Sequence, residues 1–143
     1  MSAINPAWLA ATEFIDHEHP AVREFIAARV PAGTQSAGAG SLCVPGSPLR
    51  GTATAKDKAL NLYYAVRDDI RYDPYASSMQ REAMRASTTV IKGVSYCVPK
   101  AILYCACLRA IGIPARPGFA DVKNHLSTEK LTRLMGTDLF AWH

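Results

Sequence analysis

Residues 86–122 read ASTTVIKGVSYCVPKAILYCACLRAIGIPARPGFADV, and the middle of this stretch decides the fold. From Cys97 to Ile111 apolar residues run around most of a helix circumference, with only Lys100 and Arg109 charged, which predicts a helix buried in the core. Pro99 marks its start, because the N–H that proline lacks has no partner in a first turn anyway. Gly112, Ile113 and Pro114 mark its stop: a residue able to turn left-handed, an apolar residue to fold back, and a residue that cannot continue. Cys97 therefore sits at the helix mouth, where unpaired amides and the positive end of the macrodipole favour a thiolate over a thiol.

Working upstream, residues 1–19 form an irregular lead-in with apolar anchors at Trp8, Leu9, Phe14 and Ile15. His17, Glu18 and His19 have metal-ligand character, but no cysteine or further histidine lies near, so a solvated loop is expected and no metal. Pro20 opens a short amphipathic helix with Val22, Phe25, Ile26 and Val30 on one stripe. From Pro31 to Thr54, eighteen of twenty-four residues are Gly, Ala, Ser, Thr or Pro. Such a segment buries little apolar area to offset its ordering entropy and is read as a flexible loop over 31–54, with Cys43 an exposed thiol. Thr54-Ala55-Lys56-Asp57 resembles a capping box, starting a helix with Ala59, Leu62, Tyr63, Val66 and Ile70 inward and Asp73-Pro74 at its end. SSMQREAM suits a helical turn, while the β-branched run STTVI suits extended chain.

Downstream, Phe119–Val122 reads as a short strand, and Asn124 or Ser127 as the cap of a small helix carrying Leu131, Leu134 and Met135 and closed by Gly136. Asp138–His143 reads as a final strand, with Leu139, Ala141 and His143 on one face and Phe140 and Trp142 on the other. No following turn or partner strand is evident for it, so self-association through this unpaired strand is expected.

The run from Gly93 to Leu126, followed by TDLFAWH at 137–143, resembles the core of the transglutaminase-like superfamily of papain-type thiol enzymes, in its bacterial and archaeal cysteine-protease-like branch. The likeness rests on an aromatic residue before the nucleophile (Tyr96-Cys97), a helix of small residues after it and the Gly112-Ile-Pro-Ala-Arg116 exit. A following strand with Asp121 and an aromatic strand ending in histidine complete it. It implies an α+β fold, a single papain-like domain over 1–143 with a helix-rich N-terminal part. Most of the antiparallel sheet is expected to be missing, since in the family the sheet runs on past the histidine to a third catalytic group that has no match here. Cys97 is implied as nucleophile and His143, forty-six residues on, as its acid/base partner. Tyr96, Ser95, Asp121 and His125 are implied at the oxyanion site or cleft, Ser95 standing where the family often has glycine, and Asp121 with His125 forming a rival pair. Asp138 falls on the opposite strand face from His143 and cannot orient it.

Composition bounds the function. A chain of 143 residues that is 49% hydrophobic and 20% charged has the balance of one globular domain. The net charge is +4, but the sixteen Lys and Arg are scattered without a stripe, which argues against nucleic acid. No apolar run reaches membrane-spanning length and the N-terminus has no secretory pattern, so a cytoplasmic chain with no membrane contact is expected. Cys97, Cys105 and Cys107 share one helix; Cys105 and Cys107 point about 200° apart, so neither a disulfide nor zinc joins them, and both read as small core residues. Three function classes follow: a cofactor-free thiol hydrolase or acyltransferase acting on protein or peptide amides, a non-catalytic protein-binding module with the same fold, and a redox-responsive protein pairing Cys43 with Cys97.

Overall fold

Helix α4 (Cys97–Ala110) takes the central position that its apolar circumference demands, burying Pro99, Ile102, Leu103, Cys105, Ala106, Cys107 and Arg109. A computed structural model describes residues 5–30, 54–75, 78, 80–123, 128–137 and 139–140. Residues 31–53 with Cys43, and Asn124, His125, Ser127, Asp138 and His143, lie outside the described residues. The stop of α4 is a Schellman turn: Gly112 stands at φ +80°, its amide donates to the Arg109 carbonyl at 3.0 Å, and the Ile113 amide donates to the Leu108 carbonyl at 2.9 Å.

Three further helices pack around α4. Helix α1 (Pro20–Ala27) buries Val22, Phe25 and Ile26, and its first turn is capped by His19, whose Nδ1 accepts from the Ala21 amide at 3.2 Å. The His17-Glu18-His19 run thus supplies a helix cap. Helix α2 (Ala55–Asp68) begins with the capping box: the Thr54 side chain accepts from the Asp57 amide, and the Asp57 carboxylate accepts from the Thr54 amide. Its inward residues are Leu62, Ala65 and Val66, with Ile70 just beyond. Tyr63, expected among them, faces outward, edge-on to Tyr64 and Tyr104, because it lies about 100° from Leu62 around the helix. The helix also stops earlier than expected, five residues before Asp73, and the chain enters strand β1 (Arg71–Tyr72).

The run STTVI is helical, not extended: α3 spans Ala86–Lys92. Tertiary partners override its β-branched residues. The Thr89 hydroxyl bonds back to the Arg85 carbonyl at 3.2 Å, and Ala86, Ser87 and Thr89 are buried as α3 packs on α1 and α4. No local side chain caps α3. The lead-in does so from seventy-one residues away: Asp16 accepts from the Ser87 amide at 3.0 Å and from its hydroxyl at 2.5 Å, and the Phe14 carbonyl accepts from the Ala86 amide. Gly93, at φ +63°, ends α3 and turns the chain into strand β2 (Val94–Ser95).

Strands β1 and β2 pair in parallel, Arg71 opposite Val94 and Tyr72 opposite Ser95, with α3 in the crossover. A second small sheet is antiparallel: β3 (Val122–Lys123) pairs with β4 (Leu139–Phe140), Val122 opposite Phe140 and Lys123 opposite Leu139. The strand read as Phe119–Val122 is therefore Val122–Lys123, and the last strand, expected without a partner, has one. Between them α5 (Glu129–Met135) is capped by Thr128, whose hydroxyl accepts from the Leu131 amide, instead of by Asn124 or Ser127, and it stops at Gly136. The result is an α+β fold dominated by helix, with its core on both sides of α4.

Candidate active site

Cys97 is the first residue of α4, delivered there by β2. Tyr96 precedes it in extended conformation and makes no side-chain cap. Its half-buried ring reaches sideways, and the hydroxyl donates weakly to Met84 Sδ at 3.5 Å. Ser95 is buried, and its carbonyl accepts from the Asp73 amide at 2.9 Å. Asp121 is exposed at the approach to β3.

The thiol of Cys97 is half-buried, and burial pushes its pKa up, while the amides of Val98 and of Cys97 itself pull in the opposite direction. The net direction is upward. The helix mouth by itself therefore does not depress the thiol: the helix terminus supplies donors, but loss of water around the sulfur outweighs them. Cys105 and Cys107 are fully in the core; burial raises both thiols, that of Cys107 to about 12 against the opposing pull of Arg29.

The structure adds a residue that the pattern of the sequence did not single out. Tyr72 pairs with Ser95, two residues before Cys97, where the β1–β2 ladder leads into α4. Tyr72 is accordingly one of two phenols that feel the sulfur: burial first, then the charge of the Cys97 thiolate, holds both Tyr72 and Tyr96 above their ordinary value. At 54% exposure Tyr72 is also open to solvent and so to a ligand. A signal for it existed, because Ile70-Arg71-Tyr72 alternates apolar, charged, aromatic just before the Asp-Pro turn.

The charged residues of α4 both serve backbone. The Lys100 ammonium donates to the carbonyls of Arg67, at 2.9 Å, and Ile70, where α2 gives way to β1. Buried Arg109 donates from Nε to the Ala115 carbonyl at 2.8 Å and from Nη1 to the Ala10 carbonyl at 2.6 Å. The Gly-Ile-Pro-Ala-Arg exit is fixed further by the Ala115 amide on the Trp8 carbonyl and by Arg116, whose guanidinium lies 5.4 Å from the Trp8 ring centre. Among the described residues no group of three or more His, Cys, Asp or Glu could hold a metal ion. No helix among them is long and apolar enough to cross a membrane.

What this arrangement can do is limited and specific. It offers one sulfur at a helix start, two amides that favour its charged form and two phenols that feel its charge, on a frame of backbone carbonyls tied down by Lys100 and Arg109. Such a set can add a thiolate to an electrophilic carbon and hold negative charge on the neighbouring oxygen. The family model of the transglutaminase-like superfamily matches residues 47–142, from ahead of α2 to beyond β4. No curated protein and no solved structure matches the chain. With two thirds of the chain covered, and the cysteine helix and its exit inside the match, the protein belongs to the transglutaminase-like superfamily.

Proposed function

We propose that the protein is a cytoplasmic thiol enzyme that cleaves protein or peptide amides, or transfers their acyl groups, through a thioester on Cys97. The observation that carries this reading is the placement of Cys97 at the first turn of the buried helix α4, with amide donors at the sulfur and Tyr72 and Tyr96 beside it. In the proposed cycle the Cys97 thiolate adds to the carboxamide carbon, and the Cys97 amide and the Tyr72 hydroxyl hold the oxyanion. The C–N bond breaks as the His143 imidazolium gives its proton to the departing amine. Water, deprotonated by the imidazole, then releases the acid and the thiol; an amine in place of water gives a new amide. His143 also has the task of drawing the thiol proton, which matters because burial alone works against ionisation of Cys97.

The upward shift of Cys97 also favours a second reading, a non-catalytic protein-binding module that keeps the fold. The two separate in one experiment, residue-resolved iodoacetamide labelling against pH, on the wild type and on His143→Ala. The enzyme reading expects Cys97 in the wild type to ionise below the unperturbed thiol value of about 8.5, and His143→Ala to return it above that value. A wild-type Cys97 that titrates above 8.5 and ignores His143→Ala refutes the pairing and leaves the binding module. Unchanged amide cleavage in Cys97→Ser removes the nucleophile itself.

A further inference from the structure

Lys100 stands one turn into α4, three residues from Cys97, yet its ammonium is turned to the end of another helix. The carbonyls it binds are ones the chain cannot satisfy locally. In a continuing α2 the Arg67 carbonyl would accept from the Arg71 amide, but that amide has left for the Gly93 carbonyl at 2.9 Å, as the first bond of the β1–β2 ladder. Lys100 takes its place, at 2.9 Å, and also holds the Ile70 carbonyl two residues before Tyr72. Strand β1 is thereby fixed on two sides: by the ladder to β2, which leads into Cys97, and by Lys100, which comes back from the far side of Cys97 on the same helix. Three donors on a flexible stem suit an ammonium to two diverging carbonyls.

Building on the reading of Cys97 as nucleophile, we infer that Lys100 is a positioning residue: by clamping the Arg67 and Ile70 carbonyls to the first turn of α4 it sets the Tyr72 hydroxyl against the Cys97 sulfur. The alternative, that Lys100 only stabilises the fold, accounts less well for the residue type. The ammonium is partly desolvated, a cost that lowers its pKa against the pull of nearby Asp68, and a methionine of similar length would fill the space without it. What the charged group adds is a fixed distance between two backbones.

The test needs no substrate. Iodoacetamide alkylation of Cys97, read by mass spectrometry across pH, is compared in the full-length wild type, Lys100→Met, Tyr72→Phe and the double variant, with circular dichroism and thermal melts as a check on folding. A phenol that donates to the thiolate lowers its pKa, so Tyr72→Phe is expected to move the midpoint upward by about 0.5–1 unit, slowing alkylation at neutral pH about three- to tenfold. Lys100→Met is expected to produce the same shift while still melting cooperatively, the double variant to shift no further, and Lys100→Arg, which can reach both carbonyls, to recover at least half. Should Lys100→Met fail to fold, Lys100→Gln, with a shorter neutral donor, carries the same comparison. The inference is overturned if the lysine variant leaves the profile at its wild-type position, if Tyr72→Phe does so, or if the two shifts add. None of these outcomes depends on amide cleavage. Loss of the enzyme reading through an active Cys97→Ser is therefore a separate result from loss of this coupling.

Discussion

Asp16 is the residue whose removal tests the packing most directly, because it caps a helix to which it does not belong. In Asp16→Ala the Ser87 amide, at the second position of α3, and the buried Ser87 hydroxyl both lose their acceptor. Loss of a cap costs about 1 kcal/mol, and loss of a carboxylate from a helix start about 0.3–1 kcal/mol. Leaving buried polar groups unpaired costs about 1–3 kcal/mol, and these contributions overlap. The expected total is about 2–3 kcal/mol, which in a domain of this size lowers the melting temperature by about 5–10 °C. Asp16→Asn, which keeps an acceptor for the amide but not the charge, is expected to lose about half of that. Ser87→Ala, which removes the hydroxyl together with its need for a partner, is expected to cost under about 1 kcal/mol. Urea unfolding at constant m-value measures all of these. The double variant Asp16→Ala/Ser87→Ala must then be less destabilised than the sum of its parts. An Asp16→Ala protein within about 0.5 kcal/mol of the wild type, or strict additivity with Ser87→Ala, refutes the assignment of the cap.

Three other outcomes follow from the same geometry. The thiol of Cys107, raised from an ordinary 9.0 to about 12 by burial, contributes stability that is intact below pH 9 and drains away as the pH climbs toward 12. Over that window the wild type should lose up to about 1.4 kcal/mol per pH unit relative to Cys107→Ala, and parallel stability curves of the two proteins would contradict it. Gly112→Ala places a side chain at φ +80° in the Schellman turn and is expected to cost about 1 kcal/mol in thermal unfolding, although the space beside Gly112 is open. Thr54→Ala opens the capping box of α2 and should cost about 1 kcal/mol, with fraying of residues 55–58 visible in amide exchange; unaltered exchange there would show that the box adds nothing.

The parts of the fold legible in the sequence are those decided locally. The core helix could be read from its apolar circumference, Pro99 and Gly112, and α2 from Thr54 and Asp57, because caps and stops act within a turn of the residues that encode them. Helix α3 was illegible for the same reason inverted: its cap is Asp16, and propensity at Ser87–Ile91 pointed to extended chain. Tyr63 and Ala65 exchanged places because a periodic pattern with several apolar positions fits two neighbouring stripes. At the candidate site, Cys97 stood out through its position at a helix mouth, whereas Tyr72 emerges only from the register of β1 on β2, which no local pattern determines. The sign of the Cys97 shift also depends on how much water the neighbours exclude, a quantity set by the whole fold.

The guanidinium of Arg109 has a consequence for how the molecule assembles. It joins the Ala10 carbonyl to a helix ninety-nine residues away, and the Ala115 amide joins the Trp8 carbonyl across a still longer separation. Contacts so distant along the chain close late, since the entropy of the intervening loop is lost before they return anything. During synthesis the Trp8–Ala10 part of the lead-in leaves the ribosome first and meets these partners only after the cysteine helix and its exit have followed. Until then the end of that helix keeps a hydrated charge where the finished protein keeps a buried one. The start of the lead-in is in this sense the last clasp to fasten, and resistance of residues 5–10 to proteolysis during refolding would serve as a clock for completion of the core.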